Sequence, residues 1–145
     1  MILALNVYDI DITNIFISNK EVNLISDYKY FHKLFYSNSN YLMNGLYIKL
    51  NLIDYKSSVF YNYIKINYNI EKNISFINKI YEIEKNILTD ISSSYKNNLY
   101  NDLMQGTIKI QKKNYSPKQI HIILKITGIW ENNNICGLCY KFLLL

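Results

Sequence analysis

The sequence predicts a mostly β domain, a small barrel carrying one helix, on two observations. Several segments alternate apolar and polar residues at the period of two that a pleated strand imposes, and one segment, Ile70–Ile91, changes to a helical period. A chain of 145 residues, half of them hydrophobic, is of the commonest size for one domain and can bury a core of its own, so 1–145 reads as a single domain.

Ile2–Ser18 is rich in β-branched residues and strand-like, with Ile2, Leu3, Leu5, Val7 and Tyr8 ahead of an interruption at Asp9–Asp11 where a bulge or bend is expected. Tyr28–Asn44 gives no clean assignment, because YKYFHKLFY has partial helical spacing and Ser37–Asn40 reads as a loop. From Leu46 the pattern sharpens: Leu46, Ile48, Leu50 and Leu52 point one way, Tyr47, Lys49 and Asn51 the other. Val59–Tyr68 repeats it, with Phe60, Ile64, Ile66 and Tyr68 on one face and Tyr61, Tyr63, Lys65 and Asn67 on the other. These two strands are expected to form a hairpin.

In Ile70–Ile91 the residues Ile70, Ile74, Ile77, Tyr81, Leu88 and Ile91 make one stripe, with Lys79, Glu82 and Lys85 mostly off it, as in an amphipathic helix packed on a sheet. Thr107–Lys113 returns to alternation, burying Ile108 and Ile110, and Pro117 punctuates the loop after it. Ile120–Trp130 and Ile135–Leu144 are two further strands joined by the polar turn Glu131–Asn134. Strands, one helix after the third main strand, then more strands is the order in which a five-stranded Greek-key OB barrel is strung together, here with an extra C-terminal strand. An unrelated α+β sandwich has the same element order and stays open.

The 16 basic residues are all lysine, against 11 acids, and Ile, Asn, Tyr and Lys crowd every segment. Such a bias fits an AT-rich coding sequence and lowers what any single tyrosine or lysine says about function. The positive excess is nonetheless uneven: residues 31–70 hold four Lys against one acid, and 105–145 hold six against Glu131 alone. Both segments lie outside the helix, and an anionic partner or plain solubility accounts for them. No stretch reaches the roughly 18 apolar residues of a membrane helix, and MILALNVYDIDI lacks a basic leader, so a cytoplasmic protein with no membrane partner is expected.

The candidate site is the outward face of the second and third strands, where Tyr47 and Lys49 are expected beside Tyr61, Tyr63 and Lys65. Flat rings suit base faces and ammonium groups suit phosphates, which is what an unpaired strand offers. Flanking loops contribute Tyr55, Lys56, Lys113, Tyr115 and Lys118, and Lys109, facing outward from the fourth strand, is a further phosphate contact. The alternative is that Tyr and Lys populate the wet face of a sheet in a biased sequence.

Other chemistry finds little support. Cys136 and Cys139 have the spacing of half a zinc site, but only His32 and His121 remain as nitrogen donors and no second CxxC exists, so no metal or cofactor is expected. A redox pair should open a helix, whereas these cysteines lie in a terminal strand. His121 is expected on the wet face, and neither histidine has a recognisable catalytic partner. Glu82 and Glu84 diverge on the helix, Asp9 and Asp11 share a strand face without further ligands, and both pairs read as solvated. With four glycines and no phosphate loop or nucleophile elbow, an enzyme is not expected.

The C-terminal residues Ile126, Thr127, Gly128, Ile129, Trp130 and Glu131, followed by Gly137, Leu138, Tyr140, Lys141 and Phe142, resemble the terminal hairpin of small proteins of large cytoplasmic DNA viruses, several of them considered OB-type single-stranded DNA-binding proteins. The whole chain, in size and composition, also resembles the small single-stranded DNA-binding proteins of yeast cytoplasmic linear plasmids. The hairpin here is mostly apolar, which makes Trp130 a candidate core anchor rather than a stacking ring, and Cys139 stands where polar residues are common. The resemblance implies a protein that coats unwound DNA during replication without sequence preference, as a homo-oligomer, with single-stranded DNA and replication proteins as partners. The rival expectations are a structural or assembly protein that uses its sheet surface for protein contacts, and a thiol or metal protein using the two cysteines.

Overall fold

The computed structural model describes residues 4–22, 29–111 and 121–144. Ile2, Leu3, Tyr28, Lys113, Tyr115, Pro117, Lys118 and Ile120 lie outside the described residues.

The expected first strand is instead two 3-10 turns, Val7–Asp9 and Ile12–Asn14, leading into a short strand β1 (Ile15–Ile17). Asn6 and Asp11 cause this: their side chains accept hydrogen bonds from the Tyr8 N–H at 3.0 Å and the Thr13 N–H at 2.9 Å. Such local bonds compete with a sheet ladder. Asp9 and Asp11 therefore sit in turns rather than on a strand face, and the Thr13 bonds hold the Asp11 carboxyl below its usual range. The segment without a clean assignment resolves into strands: β2 (Glu21–Val22) is followed by β3 (Tyr30–Ser37) and β4 (Leu42–Asn44).

Strand β5 (Leu46–Leu50) buries Leu46, Ile48 and Leu50, as its alternation requires. It continues β4 past Gly45, where only glycine fits: φ is +97°, and a Cβ added there would come within 3.0 Å of the Ile126 carbonyl oxygen. At this bend the chain passes from pairing with β3 to pairing with β10 (Ile122–Asn132). Strand β10 organises the larger sheet. One edge runs along β11 (Ile135–Leu144); the other takes β5 at Ile122–Ile126 and β3 at Gly128–Glu131, with the ladder irregular between Ile126 and Gly128. The β10–β11 hairpin turns at Asn133 and Asn134, both at positive φ (49° and 67°), which Asn tolerates and the primed two-residue turn needs.

A second sheet has β7 (Tyr63–Tyr68) between β6 (Tyr55–Val59) and β9 (Thr107–Gln111). The hairpin expected between the Leu46 and Val59 segments does not form. Both edges of β5 are occupied, by β10 on one side and on the other by the N-terminal segment, through Leu5 N–H to Tyr47 O and Lys49 N–H to Leu5 O, each 2.9 Å. Tyr55 and Lys56, expected in a loop, instead begin a strand that runs to Val59 and becomes the partner of β7.

Helix α1 (Ile74–Thr89) follows a 3-10 turn at Glu71–Asn73 and precedes β8 (Ser94–Lys96) and a second, short helix α2 (Asn98–Leu103), which no periodicity in the sequence announces. Asn73 stitches the helix start to the preceding loop: its amide accepts from Ile53 N–H at 2.9 Å and donates to the carbonyls of Ile53 and Asn69 at 2.8 Å each. The buried face is Phe76, Ile77, Ile80, Ile83, Glu84, Ile87 and Leu88, so the expected stripe is rotated and only Ile77 and Leu88 of it are fully buried. The reason is that α1 contacts α2, β8 and β11 together, which takes a wider face than one sheet does.

The result is mostly β, with one long helix and a curled half-barrel sheet. Eleven strands occur among the described residues, more than the five expected. The larger sheet has the order β1-β3-β10-β11-β8, with β2 and β4 also on β3 and β5 also on β10. One core cluster joins both sheets and both helices.

Candidate nucleic-acid interface

On the smaller sheet, Ile64, Ile66 and Tyr68 of β7 and Ile108 and Ile110 of β9 face the core, so Tyr63, Lys65, Asn67, Thr107, Lys109 and Gln111 face away from it. The register sets Lys65 directly opposite Lys109 on one side and Ser58 on the other. Like charges in that relation repel, and an anion laid across them relieves the repulsion. Strands β6, β7 and β9 contain no Asp or Glu. The Lys109 ammonium lies 5.7 Å from the centre of the Tyr63 ring, and Phe60 stacks on the same ring, 4.6 Å between centroids and 12° between planes. Alternation alone assigns Phe60 to the core face. The strand starts only at Tyr63, however, and the two-residue turn at Tyr61 and Asn62 brings Phe60 opposite Tyr63, where the Phe60 N–H donates to the Tyr63 carbonyl at 2.9 Å. Tyr61, at the tip of this turn, is 99% exposed.

Tyr47 and Lys49 also face outward, but on the larger sheet, beside β10 rather than β7. The structure thus divides the expected site: Tyr61, Tyr63, Lys65 and Lys109 stay together, and Tyr47 and Lys49 join a second outer face. There Tyr47, Lys125 and Lys141 form one cross-strand row, with the Lys125 ammonium 5.3 Å from the Tyr47 ring centre. Lys33 and Lys96 lie on the same face. Lys125 and Lys141 are absent from the sequence-based candidates, although each stands out of phase with apolar neighbours in its strand. Of the other rings of this face, Phe16 of β1 is 53% exposed, whereas those beside the lysines of β10 and β11 are packed away. Trp130 is only 7% exposed and lies over Gly137, where an added Cβ would meet the indole at 2.5 Å; Phe31 covers Gly128 in the same way. Trp130 is buried yet stands outside the main core cluster, so it anchors the outer face rather than the interior.

A cleft of about 360 Å³ lies between the two sheets, lined by Lys49, Leu50, His121 and Ile122 of the larger sheet's margin and by Tyr55, which projects from the core face of β6.

Compared with known proteins, the chain matches no family model, no curated protein and no solved structure.

The remaining polar groups are structural in their geometry. Glu84 is not solvated: it is fully buried, and its carboxylate accepts from the Leu99 N–H at 3.0 Å and the Tyr100 N–H at 3.1 Å, capping α2. Burial pushes its pKa up to about 7 against the pull of those two bonds. Nearby, the Tyr140 hydroxyl donates to the Asp102 carboxylate and the Tyr68 hydroxyl to the Leu103 carbonyl. Burial raises the pKa of both tyrosines, Tyr68 to about 12. His32 does have a carboxylate partner: Nε2 lies 3.2 Å from Glu131, while Nδ1 meets the Ser18 carbonyl at 3.0 Å. The pair ties the end of β1 to β3 and β10.

Cys136 faces the core, its thiol 3.7 Å from the Leu88 carbonyl, while Cys139 faces the other way, as residues three apart on a strand do. Burial raises both thiols to about 11, which disfavours the thiolate. Among the described residues no group of three or more His, Cys, Asp and Glu side chains is placed to hold a metal ion.

Proposed function

We propose that the chain binds single-stranded DNA without sequence preference and coats strands unwound during replication in the cytoplasm, acting by binding rather than by catalysis. The observation that carries this reading is the acid-free outer face of the smaller sheet, where directly opposed Lys65 and Lys109 lie beside the stacked Phe60 and Tyr63 and the projecting Tyr61. Bases stacking on the rings and phosphates on the lysines would satisfy both sets of groups at once. The Tyr47, Lys49, Lys125 and Lys141 face, whose neighbouring rings are mostly packed away, is not needed for this contact. On this reading the half-barrel is an elaborated OB-type barrel, in keeping with the resemblance of the terminal hairpin to such proteins, and replication proteins are its natural partners.

The test is a titration of the purified protein with labelled single- and double-stranded oligonucleotides over a range of salt concentrations. The expected result is a preference for the single strand, with a log-log salt slope near −2 if Lys56, Lys65 and Lys109 each meet one phosphate, at about −0.7 per contact. Salt-independent affinity, a preference for duplex, or no binding overturns the proposal.

A further inference from the structure

The smaller sheet ends in an uncovered edge. Every residue of β6, Tyr55–Val59, is exposed, and among the described residues its only ladder is with β7. Two hydrogen bonds bracket that ladder, Phe60 N–H to Tyr63 O at 2.9 Å and Asn69 N–H to Asp54 O at 3.1 Å. Antiparallel pairing alternates bonded and non-bonded residue pairs, so the bonds to β7 come from the even positions, including Lys56 and Ser58. Tyr55, Ser57 and Val59 therefore turn their peptide N–H and C=O groups outward. Their side chains project from the core face of the sheet, yet Tyr55 is 42% and Val59 56% exposed, because β6 overhangs the core.

This edge is complementary to itself. Turned about a two-fold axis through Ser57, a second β6 sets Ser57 against Ser57 and Tyr55 against Val59 of the second copy, and each of these is a pair whose peptide groups face outward. Tyr55 against Val59 is an aromatic on a β-branched residue, a favourable cross-strand pair. On the other face Lys56 falls opposite Ser58 of the second copy, so the two Lys56 ammonium groups are diagonal rather than directly opposed. No acid or second lysine lies in β6 to oppose the match.

We infer that two copies of this chain join edge to edge through antiparallel β6 strands centred on Ser57, making one six-stranded sheet from two three-stranded ones. An edge protected against pairing commonly carries a proline, a bulge or alternating lysines, and β6 has none of these beyond Lys56. An isologous contact of this kind closes on itself and stops at a dimer. The inference does not rest on nucleic-acid binding. If both hold, the outer faces bearing Tyr63, Lys65 and Lys109 become continuous across the pair.

The experiment is sedimentation equilibrium of the full chain without nucleic acid, comparing wild type with Ser57→Pro. Proline at 57 removes only an outward N–H and spares the β7 ladder. Wild type is expected at twice the 17.3 kDa chain mass, and Ser57→Pro at the single mass with an unchanged circular dichroism spectrum. A second variant guards against misfolding of the first. Ser57→Cys places two thiols on a bonded pair about 5.5 Å apart between Cα atoms, within disulfide reach, so mild oxidation should link the copies completely. A wild type of single mass, a Ser57→Pro protein that remains a dimer, or a Ser57→Cys dimer that fails to cross-link overturns the inference.

Discussion

The two outer faces carry the same charge motif and treat the aromatic rings nearest to it in opposite ways. Lys65 lies opposite Lys109 on the smaller sheet, and Lys125 lies opposite Lys141 on the larger. On the larger face the rings of Trp130 and Phe31 are spent on covering Gly137 and Gly128, and Tyr47 is capped by Lys125. On the smaller face Tyr61 is free to solvent and Phe60 and Tyr63 stand as a stacked pair at the sheet's end. The lesson is that composition alone does not make a binding face: a ring that fills the space above a glycine is structural, and one that projects from a turn is available.

The largest expected effect tests that difference directly. Phe60→Ala with Tyr63→Ala should weaken single-stranded DNA binding by about 10- to 100-fold per stacked base lost, while Tyr47→Ala changes it by less than about threefold, both read by fluorescence anisotropy. Equal losses would move the nucleic acid onto the larger sheet and break the comparison.

The next effect concerns the interior beneath both faces. Glu84 has a pKa of about 7 when folded, above its ordinary 4.5, so the folded state holds its proton more tightly. Its stabilising contribution is complete below about pH 4.5 and is lost as pH rises through about 7. The loss amounts to at most ~3 kcal/mol across that window. Urea unfolding of wild type should show stability falling from pH 5 to pH 8 more steeply than in Glu84→Gln, in which this group no longer titrates. Parallel pH profiles would remove Glu84 as the cause.

Gly137→Ala should destabilise the fold by about 1–3 kcal/mol, because its Cβ would overlap the Trp130 indole. DNA affinity per folded molecule should not change, and Ser58→Ala on the outer face of the smaller sheet should leave the unfolding midpoint in place. A stable Gly137→Ala protein would show that the Trp130 ring shifts to accommodate the added methyl group.

The smallest effect is on salt dependence. Lys65→Gln with Lys109→Gln should flatten the log-log slope by about 1.4, two phosphate contacts' worth, whereas Lys125→Gln with Lys141→Gln should leave it within error. A flattening by both pairs would extend the binding path over both sheets.

Much of the site is legible in the alternation of β5, β7 and β9: Tyr47, Lys49, Tyr63, Lys65 and Lys109 all face away from the core as the period of two requires. Phe60 is misplaced when alternation is carried back through a turn that no Gly, Pro or Asp marks ahead of Tyr61. Lys125 and Lys141 are inconspicuous in strands that read as apolar anchors. The N-terminal turns are hidden because Leu5 and Val7 look like strand residues, and the bonds from Asn6 and Asp11 that decide the matter are local and polar. Glu84 reads as solvated because its partners, the Leu99 and Tyr100 N–H groups, belong to a helix too short to show a period.

The amino-acid order sets what is local: which side of each strand meets the core, where the β10–β11 hairpin turns, and that one long helix interrupts the strands. These follow from side-chain periodicity and from turn chemistry, which act over a few residues. Which strands become neighbours emerges only in three dimensions, because pairing is a competition among edges far apart in the chain. Leu5 and Ile122–Ile126 filled both edges of β5, sent β7 to β6 and β9, and so parted Tyr47 and Lys49 from Tyr63 and Lys65.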